Sequence, residues 1–157
     1  MIKLIAIGKI KDKHLKALCD DYAKRINGYQ KFEVIEVNDV AIPNKASEKD
    51  EINIINKEAE NVLKLIKDEY VIVLDLHGKM YDSPSFAREI EKIQTYGNSN
   101  ITFVIGGSLG LGNELVKRAN MRLKLSDMTL LHQMTRLFIL EQIYRSFKIL
   151  NNETYHK

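Results

Sequence analysis

The stretch ITFVIGGSLGLGNELVKRANMRLKLSDMTLLHQMTRLFILEQIY, residues 101–144, carries most of what decides the fold. Ile101–Ile105 is apolar apart from Thr102, the pattern of a strand buried on both faces in a parallel sheet. A glycine turn, Gly106–Gly110, follows and leads into a short helix over Asn113–Ala119. Met121–Leu125 then alternates strictly, so Met121, Leu123 and Leu125 are predicted to face inward and Arg122 and Lys124 to face water, in a strand near a sheet edge. A helix from His132 to Leu150 closes the chain.

Working outward, the same alternation of strands and helices recurs. Ile2–Ile7 reads as a strand closed by Gly8. An amphipathic helix over Lys13–Ile26 follows, with Leu15, Leu18, Cys19, Tyr22 and Ile26 on its apolar face, and then a strand at Phe32–Val37. Asn38–Lys45, with Pro43, is the best loop candidate. Ser47 followed by Glu48, Asp50 and Glu51 marks a helix start. That helix is predicted to run to about Lys67, inward through Ile52, Ile55, Ala59, Val62, Leu63 and Ile66. Val71–Leu76 reads as a central strand ended by Gly78, and Asp82-Ser83-Pro84 opens a helix to Ile93. The expectation is a single α/β domain over residues 1–157, a mainly parallel sheet sandwiched by helices.

Composition narrows the function classes. No apolar run approaches the ~20 residues that span a bilayer, and no secretory leader pattern opens the chain, so a soluble, cytoplasmic protein without a membrane partner is expected. The one cysteine, Cys19, reads as a packed core residue, and the four scattered histidines show no metal-ligand spacing, so no metal is expected. Charge is divided along the chain. Residues 1–31 hold 8 Lys/Arg against 3 acids, residues 115–157 hold 8 against 3, and residues 32–114 hold 8 against 15. Two basic ends suit an anionic partner such as RNA, though ordinary solvated faces account for the charge equally well.

The last helix has no single apolar stripe. Met134, Leu137, Phe138, Ile139, Leu140, Ile143, Tyr144, Phe147, Ile149 and Leu150 spread over most of its circumference. Such a helix must be covered on more than one side. A second subunit is one cover, giving a homodimer. Complete burial within one chain is the other.

The glycine turn fits neither common nucleotide motif. Gly107 and Gly112 have phosphate-loop spacing, but Asn113 and Glu114 stand where Lys and Ser/Thr are required. The dinucleotide pattern fails because Leu115 replaces its third glycine. A turn with no ligand remains open. Against it, three loops at apparent strand ends, Leu74–Lys79, Gly106–Gly110 and Leu125–Leu130, align as one candidate pocket, since open α/β sheets bind ligands at the carboxyl ends of their strands. His77 reads as a structural loop residue.

At these residues the chain resembles the SPOUT methyltransferases, and among them the ribosomal large-subunit methyltransferase H family. The resemblance runs through IKLIAIGKIKDK (2–13), VIVLDLHGKMYDS (71–83), FVIGGSLGLG (103–112) and LSDMTLLHQMTRLFILEQIYRSFKILNNETYHK (125–157). It implies a C-terminal trefoil knot, a topology that connection rules otherwise make very rare. It implies S-adenosyl-L-methionine bound by Leu74, Gly106, Leu125, Ser126, Asp127, Met128, Thr129 and Leu130, and methylation of N3 of a pseudouridine in large-subunit (23S) ribosomal RNA by a homodimer. With 157 residues and no long appended RNA-binding domain, the expected substrate context is the assembled ribosome.

Uracil-type N3 carries a proton near neutral pH, so a group must remove it or favour the anion. The candidates are His132, Arg145 and the tail pair Tyr155 and His156. Arg145 is expected to stabilise an anionic base or a phosphate, and His156 to accept a proton or contact substrate. Plainer readings stand beside these: an Arg145–Glu141 helix pair, a helix-start His132 and a frayed tail. Leu131 and Leu109 depart from the family, whose members often have Pro at the position before His132 and commonly a polar residue in the turn. The competing functions are another SPOUT RNA methyltransferase, acting on transfer RNA, and a catalytically silent RNA-binding module.

Overall fold

The computed structural model describes residues 1–156; Lys157, the end of the expected functional tail, lies outside the described residues. Five strands, β1 (Ile2–Ile7), β2 (Phe32–Val37), β3 (Tyr70–Lys79), β4 (Ile101–Ile105) and β5 (Met121–Leu123), form one sheet in the order β2-β1-β4-β3-β5. Every pairing is parallel. The helices are α1 (Lys13–Asn27), α2 (Glu48–Leu63), α3 (Ser83–Lys92), α4 (Asn113–Arg118) and α5 (His132–Leu150), and a π-turn at Ile93–Gly97 extends α3.

The apolar runs are continuous because both sheet faces are covered. Ile2, Leu4, Ile72, Ile101 and Phe103 point to one core, shared with α1, α3 and α5. Their neighbours Ile5, Ile7, Val71, Val73 and Val104 point to a second core under α2 and α4. Helix starts follow capping chemistry: Asp12, Ser47 and Asp82 each accept a main-chain N–H three residues on, and Ser47 with Asp50 makes a reciprocal box.

Four expectations require correction. β3 does not end at Gly78 but bulges after Leu74 and returns, so that both Leu74 and Lys79 pair with Leu123. A Cβ on Gly78 would lie 2.6 Å from the carbonyl carbon and oxygen of Arg122, so only glycine allows this approach. β5 stops at Leu123, and Lys124 folds onto Asp127 (2.5 Å) instead of extending into water. On α2, which ends at Leu63, Ile52 is 50% exposed while Ile54 and Glu58 are buried, because the inward face follows the i, i+4 row 54-58-62. On α1, Cys19 is buried as expected but Leu18 is exposed.

A buried ion pair sits at the amino-terminal edge of the sheet. Glu69, 5% exposed, lies 2.6 Å from Lys3 Nζ and accepts from the Thr102 hydroxyl (3.1 Å) and the Lys67 amide (2.8 Å). Burial alone would raise its pKa, but the bond from Lys3 and the main-chain donors outweigh it and hold the carboxyl at about 2.

Helix α5 is covered largely by its own chain. It runs between α1 and α3 on one face of the sheet, which buries Ile139, Leu140, Ile143, Tyr144 and Phe147. Two-sided covering therefore does not by itself require a second subunit. Phe138, 45% exposed, and Leu131, 63% exposed, are what remains uncovered.

Candidate active site

Parallel strands bring all their carboxyl ends to one edge. There the β3 bulge, the glycine turn after β4 and the segment from β5 into α5 enclose a cavity of about 570 Å³. Its walls are mostly apolar, among them Leu74, Ile105, Leu111, Leu125 and Leu130, with a few hydroxyls from Ser108, Ser126, Thr129 and Thr135. This size and lining suit a small organic ligand.

The glycine turn is held from behind. Gly110 donates its N–H to the Gly107 carbonyl (3.1 Å) and has φ +98°. A Cβ on Gly107 would sit 2.8 Å from Oε2 of Glu58, the buried α2 carboxylate whose Oε1 accepts from the Val40 amide (2.9 Å). Burial pushes the Glu58 pKa up. The turn thus packs on α2 and presents its other side to the cavity, and Glu114 in the first turn of α4 discourages an anion there.

Of the residues expected around a cofactor, Leu74, Gly106, Leu125, Ser126, Met128, Thr129 and Leu130 line the cavity. Asp127 does not: its side chain is 78% exposed and paired with Lys124. Leu131 also lines the wall; its φ of −58° is one that proline would fix, so leucine here preserves the backbone path. Leu109 stays out of the wall. His132, the first residue of α5, reaches the cavity from the helix start.

A second cavity of about 710 Å³ lies on the other side of the segment Leu123–Leu130, which is a wall of both. Phe138, Gln142 and His156 face it. Beside it the other three candidates meet around Glu141. Arg145 Nε and Nη2 donate to Glu141 Oε1 at 3.0 and 2.6 Å, and the Tyr155 hydroxyl donates to the same oxygen at 3.0 Å. The guanidinium also lies over the Tyr155 ring, 4.7 Å from its centroid. The Arg145 pKa is raised chiefly by its bond to Glu141. That of Tyr155 is raised by burial and by its bonds to Tyr22 and Glu141, so at neutral pH the phenol is a donor and not a base.

His156 Nδ1 stands 3.2 Å from Arg145 Nη1. A guanidinium nitrogen only donates, so Nδ1 is the acceptor in this contact. The helix-pair reading of Arg145 is thus correct and incomplete, because the same carboxylate gathers the tail. His132 belongs to the first cavity and Arg145, Tyr155 and His156 to the margin of the second. Sequence reasoning missed the central part played by Glu141; its spacing four residues before Arg145 was visible, but its bond to Tyr155 was not.

A five-stranded parallel sheet with a mostly apolar cavity at its carboxyl edge, walled by the segment before the last helix, defines an α/β protein with a pocket of small-molecule size. A family model described as "Predicted SPOUT methyltransferase" matches residues 1–156, and the chain belongs to that family. Membership implies the C-terminal knot and a methyl donor. The chain is 50% identical, over 99% of each sequence, to "Ribosomal RNA large subunit methyltransferase H 1" of Clostridium perfringens (strain SM101 / Type A). It is 49% identical, again over 99% of each, to "Ribosomal RNA large subunit methyltransferase H" of Latilactobacillus sakei subsp. sakei (strain 23K). Among solved structures the fold is shared with a probable methylase family protein of Haemophilus influenzae (TM-score 0.54, 16% identity, 96% of this chain and 66% of that one). It is shared also with the tRNA (m1G37) methyltransferase of Aquifex aeolicus (TM-score 0.53, 13% identity, 92% and 69%).

Proposed function

We propose that this protein methylates N3 of a pseudouridine in large-subunit ribosomal RNA, with S-adenosyl-L-methionine as donor, as a single catalytic domain in the cytoplasm. The observation that carries the reading is the shared wall Leu123–Leu130, which sets a donor-sized cavity directly against a second cavity edged by Arg145, Tyr155 and His156. The full-length relatives' names support the RNA class.

The donor fits the first cavity: apolar walls can flank an adenine ring, and hydroxyls at Ser108, Ser126 and Thr129 can meet ribose and amino-acid groups. When bound, it supplies an electrophilic methyl group on a sulfonium. The chain's own residues then orient the target base, exclude water and manage one proton. Arg145, held by Glu141, is placed to stabilise the N3 anion or a flanking phosphate. Tyr155 fixes the guanidinium plane from below and donates. His156 becomes a proton acceptor only when its Nδ1 leaves Arg145, which requires the tail to lift from its own helix. That movement is what completing a partner subunit's site would involve. The homodimer is proposed on the uncovered Phe138, Leu131 and Met128, which rim the two cavities.

The test offers labelled S-adenosyl-L-methionine with ribosomes, large subunits, naked ribosomal RNA and transfer RNA, and reads modified nucleosides by mass spectrometry. A methylated pseudouridine in large-subunit RNA is expected. Methyl transfer to transfer RNA alone overturns the substrate. No detectable donor binding by titration calorimetry at millimolar concentration overturns the enzyme in favour of a silent RNA-binding module.

A further inference from the structure

The loop between β1 and α1 is built unlike an ordinary solvated loop. Its first residue, Gly8, has φ +92°, donates to the Val37 carbonyl (2.8 Å) and accepts from Nη2 of Arg136 (2.9 Å), a buried arginine on α5. Ile10 packs against the core. The Lys11 amide reaches the Gln133 side chain (3.4 Å), and Asp12 caps α1 by accepting from Leu15 (2.8 Å). Five anchors thus hold a five-residue loop, and two of them come from the first turns of α5, the helix that carries His132 into the donor cavity. A Cβ on Gly8 would lie 3.9 Å from His132 Nε2, so loop and cavity mouth are contiguous.

The exposed cations of this stretch are Lys9 and Lys11 on the loop and Lys13 at the start of α1, with the exposed cap residue Asp12 between the last two. None of the three has an ion-pair partner among the described residues. The nearby acids are engaged elsewhere: Asp12 in the cap, Glu36 with Arg136 (3.3 Å) and Asp20 with Lys16 (2.6 Å). Three unpaired cations, two on the pre-anchored loop and one on the first residue of α1 beside it, lose little freedom when they meet fixed negative charges.

We infer that Lys9, Lys11 and Lys13 form a phosphate clamp that grips the RNA backbone flanking the target nucleotide and sets it over the cavity. The inference rests on the reading of the protein as an RNA methyltransferase. It assigns these lysines to positioning, with no part in the proton step. Because phosphate contacts carry no sequence information, the clamp contributes affinity and register, and base choice stays with the cavities.

The test compares the triple variant Lys9→Ala/Lys11→Ala/Lys13→Ala with a control of equal charge change, Lys24→Ala/Lys31→Ala/Lys67→Ala, whose exposed lysines lie at the opposite edge of the sheet. Steady-state methylation of ribosomal substrate and direct binding of large-subunit RNA are measured at 50 and 200 mM salt. The loop variant is expected to raise KM about tenfold or more at low salt with kcat and donor affinity unchanged. The slope of log affinity against log salt should fall by about 2, so that wild type loses about 16-fold more affinity than the variant over that salt range. Equal behaviour of the two triples overturns the clamp. If wild type transfers no methyl at all, the proposed function falls, and the RNA-binding slopes still decide the clamp by themselves.

Discussion

Gly78→Ala tests the backbone approach on which the cavity depends. The added methyl would stand 2.6 Å from the Arg122 carbonyl carbon and oxygen and 2.8 Å from the Leu123 carbonyl carbon. Ordinary contact begins at about 3.4 Å, so β3 and β5 must part by close to an ångström. These are main-chain atoms and cannot rotate away. Forcing such a shift into a packed region costs about 1–3 kcal/mol. For a chain of this length that corresponds to a fall in Tm of about 3–10 °C. The strain falls on the strand that leads into Leu123–Leu130, the common wall, so donor affinity should weaken along with stability. Gly110→Ala is the contrast, since nothing lies within 4 Å of its Cβ and only its φ of +98° is unfavourable. Urea unfolding and donor titration on both variants make the comparison. A Gly78→Ala protein with wild-type midpoint and wild-type donor affinity would refute the claim that close β3–β5 contact shapes the cavity.

Glu69→Gln should destabilise the protein by about 2–3 kcal/mol at pH 7, since a carboxyl held at about 2 against an ordinary 4.5 stabilises the fold while ionised. The pKa is depressed, so this contribution is whole above pH 4.5, and the gap between wild type and variant should narrow as pH falls toward 2; a gap independent of pH in denaturant titrations contradicts it. Glu141→Gln frees Arg145 and Tyr155, and the loss of a charge-assisted bond worth about 1.5–3 kcal/mol should lower kcat roughly 10- to 100-fold with donor affinity preserved; an unchanged kcat in the methylation assay removes Glu141 from its positioning role. Deleting Thr154–Lys157 should abolish methyl transfer while leaving donor titration intact, and full activity after deletion ends the proposed role of the tail.

The strands were legible because their burial is chemically unambiguous. Ile101–Ile105 and Val71–Val73 are apolar on both faces, and a strand of that kind has few places to sit except between two helical layers. Helix starts were legible through Ser47 and Asp82, whose oxygens cap main-chain donors only a few residues away. The strand-end rule located the cavity before any geometry was known. Where local reasoning erred, a remote contact had intervened. Gly78 reads as a terminator, but the backbone of Arg122 requires the strand to go on past it. The family resemblance places Asp127 among the cofactor residues, and what the structure adds is that its side chain pairs with Lys124 outside the cavity wall.

By itself the sequence determined a parallel α/β sheet, a loop cluster at its carboxyl edge and an end-weighted positive charge, because strand burial, capping and net charge depend on residues close together in the chain. Only the tertiary structure decided that α1 and α3 already cover most of α5, that one carboxylate, Glu141, gathers Arg145 and Tyr155 with His156 beside them, and that the lysine loop after β1 is tied to the helix that carries His132. Those relations join positions up to 128 residues apart. Their physical basis is the packing of remote elements, which no local pattern of side chains encodes.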